Sequence, residues 1–528
     1  MTGTTSPFPD LSRRRFGTLL LGGTGWLLTP DGAQALSSGL LPPGVGPVGK
    51  SMYRDGLPRS TPEAQGVSSG AILAFLDDVD RAGLELHSMM LMRHGHVVAE
   101  GWWWPFRNDR IHITHSLTKS ITAAAVGLAI DEGRFGLADK VVSFFPDFVP
   151  ADANANMRAM TVGDLLAMRT GHDKETSGSV WRPIQTSWIA EFFKIPVVHQ
   201  PGTKFVYTSA ASYMLSAIVS RTTDQAMADY LRPRLFDPLG IDHWTWDTSP
   251  GGITPGGNGL SWNTAASLKF GALHAGLGQW QGKRILSESW IRAATATHIA
   301  DAEDGDGYGY QWWTGPSGAY FALGLFSQLA IVFPEQNATL AIFAALKSSG
   351  SLTPLIWKHF PRAFGASAIP VERDARQLAQ RCAQLRLLPP LPAAEPPSFA
   401  GGRYTVAPND QGVRWIAFDP AGQTCTFRMA DAGGEHSITA GFAEYLEQDT
   451  SMTGYRLHHE YRPPHMRVVA GGRWAAPGRL EMTWQFVESA FRDTVVCTFS
   501  GNSVTVDRSV NLNSAETRLP TLVGTLTQ

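Results

Sequence analysis

Two groups of strand-forming segments lie far apart in the chain, and most of what separates them has helical character. Ser88–Arg93 and Val97–Trp102 are apolar runs joined by His94-Gly95, which reads as a hairpin. Tyr320–Leu325, Gln328–Phe333 and Thr339–Ala345 are three more, with tight connections such as Pro334-Glu335-Gln336-Asn337, and read as an antiparallel meander. Together they predict an α+β domain: one antiparallel five-stranded sheet flanked by helices, with a helical lobe inserted between its halves. Ala71–Ala82, apolar at 72, 75, 76 and 79 and followed by Gly83, predicts a helix before the hairpin, and Leu352–Phe360 predicts a closing helix after the meander.

The chemistry-bearing stretch follows the hairpin. Thr114-His115-Ser116-Leu117-Thr118-Lys119-Ser120 runs into an alanine-rich, helix-favouring segment ending at Glu132. If the helix begins at or just before Ser116, its hydroxyl and the Lys119 amine share one face, about 5–6 Å apart at Cβ. A serine hydroxyl is too weak an acid to attack a carbonyl unaided. A lysine held among Ile121, Val126 and Leu128 and kept from water has a lowered pKa and can take the proton. Backbone N–H groups at the helix N-terminus favour negative charge on the attacked oxygen. Ser-x-x-Lys also occurs by chance with its lysine in solvent, so further motifs must support it.

One such motif is Phe205-Val206-Tyr207-Thr208-Ser209, just before a helical pattern over Ala210–Ser220, where a phenol and a hydroxyl could face a pocket. A tyrosine in such a place is more often a core residue with a satisfied O–H. A competing motif, Gly66-Val67-Ser68-Ser69-Gly70, fits the G-x-S-x-G elbow. That elbow needs a buried strand before it, and Ser60–Gln65 is polar and contains a proline, so Ser68 or Ser69 is expected to cap a helix instead.

With 528 residues, 43% of them hydrophobic, the chain can bury more than one core, and its net charge of −2, without a basic patch, gives no reason to expect nucleic acid as a partner. Ser12-Arg13-Arg14-Arg15-Phe16, the apolar run Thr18–Leu28 and Ala33-Gln34-Ala35 resemble a bacterial twin-arginine signal over residues 1–35, so a periplasmic or secreted location is expected. The run is too short, and too broken by Gly22, Gly23 and Gly25, for a membrane anchor. Residues 36–60 read as a flexible leader, 61–365 as the domain that carries these motifs, and 366–395 as a linker carrying a helix (Asp374–Leu388) and a proline-rich piece. Residues 396–528 read as a separate, small, mostly-β domain that stabilises or shapes a cleft. Cys425 and Cys497 are expected as buried small hydrophobes rather than a bridge, with Cys382 left over. No zinc spacing emerges, the cluster His458-His459-Glu460 with His465 is irregular, and no metal or other cofactor is expected.

Taken in order, Ser116-Leu117-Thr118-Lys119, then Tyr207-Thr208-Ser209, then Phe321-Ala322-Leu323-Gly324 before Gln328, resemble the serine β-lactamase and penicillin-binding-protein superfamily, nearest to class C β-lactamase-like esterases and 6-aminohexanoate-dimer hydrolases. Ala129–Gly133, Gln200–Thr203, Phe236–Gly240 and Gly256–Leu260 add to the likeness, which covers about residues 61–365. The resemblance implies that Ser116 is acylated, that Lys119 is its partner, and that Tyr207 is a general base that also protonates the leaving group. It implies an oxyanion hole from the N–H groups of Ser116 and Leu325, with Ser209 and Gly324 also contacting substrate. Two departures stand out: position 209 is serine where class C β-lactamases have asparagine, and Ala322-Leu323-Gly324 replaces Lys-Thr-Gly. The lost lysine and threonine bind a β-lactam carboxylate, so a neutral small-molecule ester or amide is the expected substrate, unless Arg169 or Lys204 supplies the charge. Restoring Lys and Thr at 322 and 323 is expected to bring β-lactams back toward turnover. A true β-lactamase or D-Ala-D-Ala peptidase, and a non-catalytic binding protein that keeps the fold, remain as alternatives. The oligomeric state is open.

Overall fold

The computed structural model describes residues 55–176, 178–303, 305–371, 373–392 and 399–527, so the twin-arginine-like segment and most of the leader lie outside the described residues. Asp55 onward forms one compact unit.

The hairpin and the meander meet in one sheet, in the order His96–Trp102, Leu86–Arg93, Ala338–Ala344, Gln328–Phe333, Tyr320–Gly324. All five are antiparallel to their neighbours, with Leu91 opposite Leu340 and Ala330 opposite Ala341. The sheet is nevertheless eight-stranded rather than five-stranded, because Trp313–Thr314, Asp306–Tyr308 and Ile299–Glu303 extend the meander edge. These short pieces hold Asp301, Glu303, Asp306 and Gly307 and carry no apolar alternation; pairing to a finished edge makes them strands.

Residues 86–93, 328–333 and 338–344 are buried throughout because helices cover both sheet faces. Consecutive residues point to opposite faces. Phe333 meets Phe360 and Trp357 of the helix Thr353–Ala363 at ring distances of 6.4 and 6.0 Å. Val332 instead lies near Gly271 of the helix Thr264–Ala275, where an added Cβ would come within 2.5 Å of Thr339. The helix before the hairpin spans Ser69–Arg81, and Ser68 caps it by accepting from the Ala71 N–H at 3.1 Å. The G-x-S-x-G stretch is thus a helix start.

The C-terminal residues form a ten-stranded sheet from Gly402 to Leu526, which curls until Gly441 meets Gly471 and closes a barrel. Ile416, Phe418, Phe427, Trp484 and Val495 fill it, together with Cys425 and Cys497, both free and buried. The expected linker is not a free spacer. Its helix, Asp374–Ala383, ends five residues short of the expected Leu388, and the chain after it docks on the sheet edge through Trp104 N–H to Leu385 O (3.0 Å) and Leu387 N–H to Trp104 O (2.8 Å). Nor does the barrel stand apart: Arg492 grips Glu85 with two hydrogen bonds of 3.0 and 2.8 Å, and Ile113 N–H donates to Glu488 O at 2.9 Å. The second contact fixes the chain three residues before Ser116. Among the described residues, no helix is long and apolar enough to cross a membrane.

Candidate active site

The α-helix begins later than expected, at Thr118, and Ser116 sits on a single 3-10 turn, His115–Leu117, that leads into it. His115 has φ +50°, a left-handed conformation uncommon outside glycine, so the turn that presents Ser116 is strained and must be held in place. The holding groups are rings. Phe326, Tyr461 and His459 surround the imidazole at 5.3, 5.4 and 5.8 Å, and the Tyr461 hydroxyl lies 3.4 Å from His115 Nδ1. Burial pushes the pKa of His115 far below the usual histidine range, which leaves the ring neutral.

One turn on, Lys119 is 2% exposed. Its Nζ donates to Ser116 Oγ at 3.0 Å, Ser209 Oγ at 3.1 Å and Gly257 O at 2.9 Å, and lies 4.8 Å from the centre of the Tyr207 ring. These groups, rather than Ile121, Val126 and Leu128, meet the amine. Burial lowers its pKa to about 7; Glu175 opposes the shift and Arg182 adds to it. The carbonyl of Gly257 reaches Lys119 because its loop presses on the helix Ser209–Thr223: a Cβ at Gly256 would fall 2.2 Å from Ser212 O.

Tyr207 precedes that helix, and Thr208 caps it by accepting from Ala210 N–H at 3.3 Å. Burial raises the pKa of Tyr207 above the usual phenol range, and the nearby Ser116 hydroxyl opposes that shift only in part. Its ring stacks on Trp313 at 5.6 Å. From the other side comes the end of the strand Tyr320–Gly324. A Cβ at Gly324 would lie 2.0 Å from Thr114 O, so only glycine lets this strand close on the chain leading to Ser116. Leu325 follows, then a turn with Phe326 and Ser327 both left-handed.

Ser116, Tyr207, Ser209, Gly324 and Leu325 line one cleft of about 820 Å³, and the buried Lys119 touches Ser116 and Ser209. All six residues expected from the sequence are therefore brought together. Of the two apolar replacements in the third motif, Leu323 faces the cleft, whereas Ala322 is 1% exposed and paired with Ala330 inside the sheet. Arg169 and Lys204 are not among the described residues that line the cleft, and Lys204 is paired with Asp173 at 2.8 Å. The cations that do line it are Arg182 and Lys347, which sequence reasoning missed. Arg182 lies 3.6 Å from the centre of the Tyr461 ring, donates to His459 O, and reaches Asn258 Oδ1 at 3.3 Å. His459, Ser514 and Ala515 bring the barrel into the cleft wall. Local sequence carries no signal for these residues, since Arg182 and His459 are 277 positions apart. Among the described residues, no cluster of three or more His, Cys, Asp or Glu could hold a metal.

The chain belongs to the Beta-lactamase family, whose profile matches residues 74–355, just over half of its length. That places it in the serine β-lactamase and penicillin-binding-protein superfamily, as the three motifs imply. An uncharacterised protein of Mycobacterium tuberculosis is 26% identical over 264 residues, which is 40% of this chain and 65% of that protein. A Salmonella agona protein named provisionally as a D-alanyl-D-alanine carboxypeptidase is 24% identical over 143 residues, covering 25% of this chain and 33% of its own. The alignments thus span less than two thirds of these relatives. Among solved structures, a Bacillus anthracis protein provisionally titled 6-aminohexanoate-dimer hydrolase aligns with 17% identity over 58% of this chain and 86% of its own, at a TM-score of 0.49. An octameric penicillin-binding-protein homologue from Pyrococcus abyssi aligns with 15% identity over 86% and 99%, at a TM-score of 0.46.

Proposed function

We propose that this protein hydrolyses a neutral ester, or less readily an amide, through an acyl intermediate on Ser116. The observation that carries the reading is the buried Lys119 amine 3.0 Å from Ser116 Oγ, with a pKa of about 7. Near neutral pH much of that amine is unprotonated. As the Ser116 oxygen bonds to the substrate carbonyl carbon, its proton passes to Lys119, and the carbonyl oxygen takes up negative charge beside the N–H groups of Ser116 and Leu325. Tyr207 enters this scheme differently from the resemblance. Its raised pKa keeps the phenol protonated, so it donates to the departing alkoxide and recovers a proton from Lys119. Water then attacks the acyl carbon and gives one proton to the same pair, which passes it to the Ser116 oxygen as the acyl–oxygen bond breaks and the acid is released.

A pH dependence follows. Below about pH 7 Lys119 is protonated and cannot accept, so kcat/KM for p-nitrophenyl acetate should fall about tenfold per pH unit on the acid side and level off above. A profile flat from pH 5 to 8 would exclude Lys119 as the proton acceptor.

The covalent step is tested with a fluorophosphonate probe. Mass spectrometry should place the adduct on Ser116 and find none in Ser116→Ala. Label on Ser68 would overturn the assignment, and absence of any label would favour a non-catalytic binding protein. Twin-arginine export belongs to the same proposal and rests on residues 12–35 alone.

A further inference from the structure

Arg182 follows the short helix Gly178–Trp181, and its guanidinium has three partners. One N–H donates to the His459 carbonyl of the barrel, another to Asn258 Oδ1 at 3.3 Å, and the guanidinium carbon sits 3.6 Å from the centre of the Tyr461 ring. Two of these partners are one step from the chemistry. Asn258 follows Gly257, whose carbonyl accepts from Lys119 Nζ at 2.9 Å. Tyr461 has its hydroxyl 3.4 Å from His115 Nδ1, and His115 immediately precedes Ser116 on the left-handed turn. A single side chain thus touches the support of the base and the support of the nucleophile, and ties both to the barrel. Arginine suits this place because a flat guanidinium covers an aromatic ring and still donates from its edges, whereas an ammonium is one point charge.

The backbone at these points has other anchors. Thr122 Oγ1 donates to Gly256 O at 2.7 Å, Trp246 Nε1 donates to Asn258 O at 3.1 Å, and the Phe326 ring packs on His115 at 5.3 Å. Loss of Arg182 should therefore leave the loop and the turn folded and shift them slightly, and a displacement of about 1 Å at reacting groups can cost about a hundredfold. Charge adds to position. The charged groups that bear on Lys119 are Glu175, which favours the protonated amine, and Arg182, which disfavours it. Burial depresses the pKa of both His115 and His459, so both rings are neutral, and Arg182 adds to each shift. Desolvation raises the carboxyl of Asp247, and Arg182 partly opposes that rise.

We propose that Arg182 is the positioning residue through which the barrel holds both members of the Ser116–Lys119 pair. The proposal rests on Ser116 as nucleophile and Lys119 as its base. Two readouts test it: the rate at which a fluorophosphonate labels Ser116 at pH 8, and kcat/KM for p-nitrophenyl acetate against pH. Arg182→Lys keeps the charge but neither the fork nor the flat stack, and should slow labelling by about tenfold with the acid limb of the profile unmoved. Arg182→Gln also removes the charge, so the Lys119 pKa rises and the acid limb should move up by about half a pH unit. Tyr461→Leu removes the platform from the barrel side and should slow labelling by a similar factor, with Arg182→Lys plus Tyr461→Leu little slower than either alone. Labelling of both Arg182 variants within about twofold of the unsubstituted protein would overturn the proposal. An acid limb unmoved in Arg182→Gln, or defects of Arg182→Lys and Tyr461→Leu that multiply, would do the same. These outcomes leave labelling of Ser116 in the unsubstituted protein intact, whereas its absence would overturn the proposed function and this proposal together. Should Tyr461→Leu fail to fold, the two Arg182 variants decide.

Discussion

Lys119→Ala and Tyr207→Phe are each expected to lower kcat/KM for p-nitrophenyl acetate by about 10²–10⁴-fold, and the double variant by little more than the worse single one. The reason is geometric. Lys119 Nζ lies 3.0 Å from Ser116 Oγ and 4.8 Å from the centre of the Tyr207 ring, so a proton released by Ser116 would move within one contiguous set of groups. Removing either member breaks the circuit, and removing the second finds nothing left to break. Lys119→Ala also deprives the Gly257 carbonyl and Ser209 Oγ of a donor, a buried deficit of about 1–3 kcal/mol. Thermal unfolding of each variant separates that loss from the chemical one. Steady-state kinetics on the four proteins of the cycle decide, and defects that simply multiply would mean that Lys119 and Tyr207 act independently.

What could be read from sequence was set by local physics. Apolar runs with tight turns give the hairpin and meander, because strands buried on both faces need continuous apolar sequence. The Ser116–Lys119 spacing gave their contact even though Ser116 lies on a 3-10 turn, since three residues along either helix return to nearly the same side. What stayed hidden depends on distant partners. Ile299–Glu303, Asp306–Tyr308 and Trp313–Thr314 become strands only by pairing, each on the next, outward from the edge at Tyr320–Gly324, and nothing in their own pattern says so. Ala322 and Leu323 look equivalent in sequence, yet the pleat buries one and turns the other to the cleft. The barrel's part was missed for the same reason. His459 and Tyr461 reach His115 and Arg182 through tertiary folding across hundreds of residues, and together they brace the turn that presents the serine.

The charges around the cleft bear on the proposed substrate class, and a large selectivity is expected: kcat/KM for p-nitrophenyl acetate should exceed that for nitrocefin by about a hundredfold or more. A β-lactam brings a carboxylate, and where the strand edge could meet it with a lysine or hydroxyl, Leu323 offers hydrocarbon. Losing a charged hydrogen bond costs about 1.5–3 kcal/mol, and each 1.4 kcal/mol is about tenfold in the specificity constant. Arg182 does not replace it, because its guanidinium is stacked on Tyr461 and committed to His459 O and Asn258 Oδ1. Lys347 does line the cleft, but as an exposed residue whose charge is screened by water and salt, so it contributes little binding. Glu175 shares the cleft and repels an incoming anion. A neutral ester meets none of these penalties. Because Ala322 is buried in the sheet, the informative substitution is Leu323→Lys alone, which puts an ammonium where the carboxylate would arrive and should narrow the gap by raising nitrocefin turnover. Nitrocefin cleaved as efficiently as p-nitrophenyl acetate by the unsubstituted protein would reverse the assignment in favour of a β-lactamase.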